Sequence, residues 1–280
     1  MKTIKFLFLL AIATLSFTAC DDSNDSAMEP DIASIINATD LYVTSDVDEA
    51  TDESLTASKT AEDLAIARCF TVELIPNPDG SFWPKNWVID FGTEGCLSSM
   101  GIVRTGKIYV TLTDFWKNTG SLRSIRFEDF TVDGNQVEGL KTIENTGLNA
   151  DGQLTWEHKI IGGKVTFEDG TTTTLESDRF SVMVAGADTP VFSDDEYDMT
   201  GTSSGTDRNG VKFNAEITIP LHFISGCRFP VSGELTITTE GSEVPIIVDY
   251  GDGTCDNVAT VTIGSEVKEI ELGIFNLMSN

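Results

Sequence analysis

Basic residues are scarce in this chain and histidine is nearly missing. Its 280 residues hold 18 Lys plus Arg against 45 Asp plus Glu, a formal charge of −27, with two histidines, His158 and His222. A surface this negative repels phosphate backbones and anionic membranes, which excludes nucleic acid as a partner. Two scattered histidines and no C-x₂-C pair leave nothing with the spacing of a zinc site. H-E-x-x-H, phosphate-loop and dinucleotide fingerprints do not occur either. No long stretch with a 3.6 period follows residue 66, so a helical domain is excluded there. With these gaps the chain reads as non-enzymatic and needs no cofactor.

What is present starts with an address. Lys2 and Lys5 precede an apolar run over residues 6–15, and S-F-T-A-C closes on Cys20. The run is too short to span a bilayer and has the flanks of a signal peptide, assigned to residues 1–19. Thr-Ala-Cys in place of A-x-A resembles the lipobox of bacterial lipoproteins, which implies that Cys20 is lipidated. Residues 21–63 then carry 13 acidic side chains and one basic one, Lys59. Such composition buries too little apolar surface to offset the entropy of ordering. Residues 20–65 are therefore expected to be a mostly disordered tether, with transient helix in patches such as I-A-S-I-I. Within it, Asp25-Ser26-Ala27 makes Ser26 a candidate O-glycosylation site.

From residue 66 the period falls to two. G-K-I-Y-V-T-L-T, L-T-W-E-H-K-I-I, R-F-S-V-M-V and K-F-N-A-E-I-T-I alternate in and out and are rich in β-branched and aromatic residues. Asp133-Gly134, Asp169-Gly170 and Asn209-Gly210 between such runs supply the positive φ values of tight hairpin turns. Residues 66–280 are thus expected to be all-β, an antiparallel meander forming a sandwich or a partly closed barrel.

One motif is written twice, V-I-D-F-G-T-E-G-C at 88–96 and I-V-D-Y-G-D-G-T-C at 247–255. Each copy ends a Cys-bracketed interval with a turn near its middle, Cys69 to Cys96 and Cys227 to Cys255. Folding the second interval about Glu240-Gly241 sets Cys227 beside Thr254. Folding the first faces Cys69 with Asp90, so a bulge or loop must return Cys96. Four cysteines allow three pairings. Hairpin geometry favours Cys69–Cys96 and Cys227–Cys255, and export makes their oxidation plausible.

Three groups are candidates for chemistry. Asp249, Asp252 and Asp256 crowd a glycine-rich turn and could offer oxygens to Ca²⁺, although the spacing departs from the calcium-loop pattern. G-T-S-S-G at 201–205 matches the letters of a nucleophile elbow but lies between hairpins, without the strand-turn-helix context that such an elbow needs. Trp83 and Trp87 in W-P-K-N-W, with Trp116 in D-F-W-K-N, could stack on the apolar face of a sugar while Lys and Asn take its hydroxyls. The competing reading puts these rings half-buried at the ends of the core.

The signal, Cys20, the D-D-S-N-D that follows and the acidic tether before an all-β domain together resemble uncharacterised surface lipoproteins of Bacteroidota. That resemblance implies anchoring to outer-membrane lipid through Cys20, with the domain facing the cell exterior. It leaves two roles open: binding or scaffolding, including capture of a polysaccharide, and a structural or adhesive part in the envelope alongside another envelope protein.

Overall fold

The computed structural model describes residues 31–43, 69–97, 102–189 and 194–272. A helix α1 (Ile32–Val43) comes first. The strands follow as β1 (Thr71–Ile75), β2 (Lys85–Asp90), β3 (Cys96–Leu97), β4 (Val103–Leu112), β5 (Leu122–Val132), β6 (Asn135–Leu148) and β7 (Leu154–Thr166). Next come β8 (Thr172–Ala185), β9 (Glu196–Thr206), β10 (Lys212–Ile224), β11 (Ser232–Thr239), β12 (Ile246–Asp252), β13 (Val258–Ile263) and β14 (Glu266–Glu271). All of them join one antiparallel sheet in chain order, except that the two-residue β3 pairs beside β2 on the edge of β4. The meander expected from the alternating runs is present, and it is not closed into a barrel. Its outermost strands are β1 and β14.

The period of two sorts side chains to opposite faces. On β8 the buried set Thr173, Leu175, Ser177, Arg179, Ser181 and Met183 alternates with the exposed Thr174, Glu176, Asp178 and Phe180. Inward residues from β2 through β14 join one apolar cluster that includes Ile89, Ile108, Ile125, Phe130, Leu235 and Val248. A second, smaller cluster of Ile143, Trp156 and Met183 has Trp116 stacked on Trp156 at 5.3 Å.

Residues 31–43 depart from the tether expected of residues 20–65. Asp31 caps α1, its Oδ1 accepting the Ser34 amide at 3.0 Å. Ile35, Ile36 and Ala38 are buried in the main core. Asp207, in the β9–β10 turn, accepts the Asp31 amide at 2.6 Å, and Arg208 lies 3.9 Å from the Asp31 carboxylate. Composition averaged over the whole acidic stretch hid this short apolar stripe, which burial against the sheet stabilises.

The duplicated motif has one physical meaning at both sites. Asp90 Oδ1 accepts the Gly92 amide at 2.8 Å, and Asp249 Oδ1 accepts that of Gly251 at 2.9 Å. Between them Phe91 and Tyr250 are buried, and each Gly takes a positive φ, 71° and 103°. The cysteines pair as hairpin geometry favoured, Cys69–Cys96 and Cys227–Cys255. Asp90 faces Thr71 rather than Cys69, and residues 92–95 form the loop that returns Cys96. Closing loops of this size contributes about 3–4 kcal/mol each in the chain-entropy model.

Close packing of β9 on β8 fixes two further glycines. A Cβ on Gly201, whose φ is +121°, would lie 2.5 Å from the Asp178 carbonyl oxygen. On Gly205 it would lie 1.9 Å from that of Thr174. Gly201→Ala is expected to cost about 2–4 kcal/mol, from backbone strain plus overpacking. Gly80→Ala, with open space around it, should cost about 1 kcal/mol from its positive φ alone. Urea unfolding of both variants checks the difference.

Candidate functional site

A recess of about 540 Å³ lies on the outer face of β7–β11. Its shape follows from side-chain length. The outward residues of β9 are the short Thr202 and Ser204. On β8 they are flanked by Asp178 and Glu176, and on β10 by Glu216 and Asn214. Short hydroxyl residues thus make a floor between two lanes of longer side chains. Thr236 and Thr238 on β11 extend the same two rows, while Lys159 and the exposed Ile161 on β7 bound the other end. Bulges in β7 after Ile160 and in β10 after Glu216 bend the strands beside it.

Not every polar group in the recess is free to meet a ligand. Glu176 Oε1 accepts the Gly162 amide at 2.8 Å, which anchors the β7 bulge. Lys159 bonds Glu157 at 2.8 Å, and this bond foremost holds its amine above the ordinary lysine value.

This recess uncovers the use of G-T-S-S-G. Its central Ser203 is 4% exposed, points to the inner face and accepts a bond from Arg179 Nη2 at 3.2 Å. The motif is a strand, β9, with Gly201 and Gly205 set by close approach and Thr202 and Ser204 turned outward. Sequence reasoning missed Thr202 and Ser204 as site residues. The available signal was a pair of small hydroxyl residues at alternate positions between strands whose outward positions carry Glu, Asp and Asn.

The three tryptophans proposed as sugar contacts separate. Trp87 is 5% exposed and belongs to the core, so its ring is not a platform. Trp116 is half-buried, with Trp156 stacked on it and Arg123 4.6 Å from its ring. Trp83 is half-buried too, but it sits between Phe82 and Phe115 in edge contacts of 5.3 and 5.1 Å. Phe82 and Phe115 are 63% and 61% exposed, and Lys85 Nζ lies 3.5 Å over the Phe82 ring. Asn77 braces the loop by donating to the Ser81 and Pro84 carbonyls and accepting from Asn86. The dipeptide F-W occurs in both S-F-W-P and D-F-W-K, which was the signal for the two exposed Phe residues.

The acidic turn does not gather its carboxylates. Asp249 accepts from Gly251, Asp252 from Thr254 and Asp256 from Val258, each serving its own backbone two residues on. Among the described residues no group of three or more His, Cys, Asp and Glu is placed to hold a metal ion. His158 Nε2 and Ser181 Oγ meet at 2.7 Å on the inner face, where Ser181 is buried. The cavity beside His158 is about 10 Å³, room for about one water. His222 bonds Asp198 through Nδ1 at 2.7 Å and approaches Glu196 at 3.4 Å. Cys20 and Ser26 lie outside the described residues.

Bonds from the Thr254 side chain and then its amide hold the Asp252 carboxyl below its usual value of 3.8. Because the folded-state value is the lower one, the stabilisation is present above the unfolded pKa and is lost as pH falls through the folded value. An NMR titration should place the Asp252 midpoint below 3.8, and Thr254→Val should move it upward.

No family model, curated protein or solved structure matches this chain.

Proposed function

We propose that this chain is a lipid-anchored, non-enzymatic protein of the bacterial outer surface, and that its β domain captures a glycan in the recess across β7–β11. The observation that carries the reading is the recess itself: two rows of hydroxyl, amide and carboxylate groups running across four strands, β8–β11, at about 4.8 Å per strand, with Lys159 and Ile161 of β7 at one end. Sugar hydroxyls both donate and accept. Thr and Ser hydroxyls and the Asn214 amide offer both roles, while Asp178 and Glu216 supply strong acceptors. Ile161, exposed at the rim, offers apolar contact for the C–H face of a ring. The signal and Cys20 support an envelope address, with residues 21–30 as the connection between the lipid anchor and the helix docked on the domain.

Filling the floor tests the reading. Thr202→Trp should abolish binding on an oligosaccharide array while leaving the thermal unfolding midpoint within a few degrees, because the position faces solvent. Phe115→Ala should leave binding intact. Undiminished binding by Thr202→Trp would remove the recess from the mechanism.

A specific observation favours the structural or adhesive role as a second reading. Edge strand β1 exposes Val72, Leu74 and Ile75, with Leu74 at 58%, at the same end of the sheet as the Phe82–Trp83–Phe115 cluster. The opposite edge, β14, carries Glu266, Lys268, Glu269 and Glu271, charges that discourage strand pairing. If β1 drives association, sedimentation should show a concentration-dependent oligomer that Leu74→Lys reduces to monomer. A wild-type chain that stays monomeric at high concentration rules this role out.

A further inference from the structure

Resting on the glycan reading of the recess, we infer that its preferred ligand is cationic: an oligosaccharide of amino sugars bearing free, protonated amines. Three carboxylates line it, Glu176, Asp178 and Glu216, against the single ammonium of Lys159. Lys159 bonds Glu157 and stands directly opposite Asp178 in the β7–β8 ladder, so its one positive charge is shared between those two carboxylates. Two negative charges remain in excess on this open face, and charge-assisted hydrogen bonds are the strong ones.

The arrangement is more particular than a patch of acid. Asp178 and Glu216 face each other across one strand, both directly opposite Thr202 in the ladder. Each is therefore about one strand spacing, roughly 4.8 Å, to one side of the Thr202 backbone. An ammonium resting on the Thr202 hydroxyl has a carboxylate on either flank, and its three N–H donors match two carboxylates and one hydroxyl. The next row offers Ser204 and Asn214 at the floor and wall, neutral groups suited to ring hydroxyls. Glu176 stands on the same row, already accepting from the Gly162 amide.

An acetylated amino sugar or a uronic acid fits this geometry poorly. The first brings no cation to Asp178 and Glu216 while still stripping water from them, and the second sets like charges together. A simple polyamine has the charge but no hydroxyls for Thr202, Ser204, Asn214, Thr236 and Thr238. The rows of neutral groups thus distinguish a sugar from a plain cation, and the flanking carboxylates distinguish an amine from an amide.

Calorimetric titration of the full-length chain in detergent, with four probes, decides the matter: a glucosamine pentamer, its fully N-acetylated counterpart, a glucose pentamer and spermidine. The glucosamine pentamer should bind at least about tenfold more tightly than either neutral pentamer, the equivalent of about 1.4 kcal/mol. Its affinity should fall with added salt. Asp178→Asn and Glu216→Gln should each lower affinity for it about tenfold, and lower that of the neutral pentamers by a smaller factor, since a neutral amide still accepts from a sugar hydroxyl. These side chains are exposed, so circular dichroism should show both variants folded. Equal binding of the acetylated pentamer overturns the cationic preference while the glycan reading stands. Spermidine binding as tightly as the glucosamine pentamer also overturns it, since the hydroxyl rows would then do nothing. If no pentamer binds a chain shown to be folded, both readings fall.

Discussion

Register is the constraint on which everything else here depends. Side chains along a strand alternate, so a slip of one residue between β8, β9 and β10 would turn Thr202 inward and Ser203 outward. Buried Ser203 would leave Arg179, and the floor of the recess would vanish. Gly201 and Gly205 oppose such a slip, because only residues without a Cβ can lie against the Asp178 and Thr174 carbonyls. Bulges in β7 and β10 oppose it as well, since each occupies one place in the ladder. The chain therefore holds its outer face in place through contacts made mostly by backbone atoms.

An open sheet of this width has two ends to protect, and the duplicated motif serves both. Near β1 the Asp90–Gly92 turn leads into the loop that ends at Cys96. Near β14 the Asp249–Gly251 turn leads to Cys255. In both, the aromatic side chain enters the core just before the backbone changes direction, and the disulfide then fixes the departing chain. The ends differ in their side chains, however. β14 carries four charged residues beside one exposed apolar residue, Val267, whereas β1 shows Val72, Leu74 and Ile75 to solvent with a single charge, Glu73. An all-polar edge would have been the cheaper choice for a monomer, which is why the β1 end keeps an adhesive role in contention.

The fold was legible in the sequence because its signal is local and repeated. Alternating runs separated by Asn-Gly and Asp-Gly state an antiparallel meander strand by strand, and folding each Cys-bracketed interval about its turn favoured one of the three pairings. The recess was not legible for the opposite reason. Thr202, Asp178 and Glu216 are far apart in the chain and become neighbours only once the register is set. Trp87 was misjudged because W-P-K-N-W reads as a loop, yet Lys85–Asp90 is a strand that turns Trp87 inward. Residues 32–43 were misjudged because an apolar stripe of three residues is small beside the acidic stretch around it. Its helix is held by the Asp31 cap and by Asp207 and Arg208, partners distant in sequence.

The same five residues, G-T-S-S-G, answer to two demands at once, and this separates what can vary from what cannot. Gly201, Ser203 and Gly205 meet β8 and the inner face, where any added atom collides or removes a bond to Arg179. Thr202 and Ser204 meet only solvent and their outward neighbours. Changes at those two positions, and at Asp178, Asn214, Glu216, Thr236 and Thr238, alter the chemistry of the recess at little cost to the sheet. An outer face built this way can be altered without refolding. The flanking carboxylates at Asp178 and Glu216 are consequently not demanded by the sheet, since the strands they stand on would pair as well with Asn and Gln in their place.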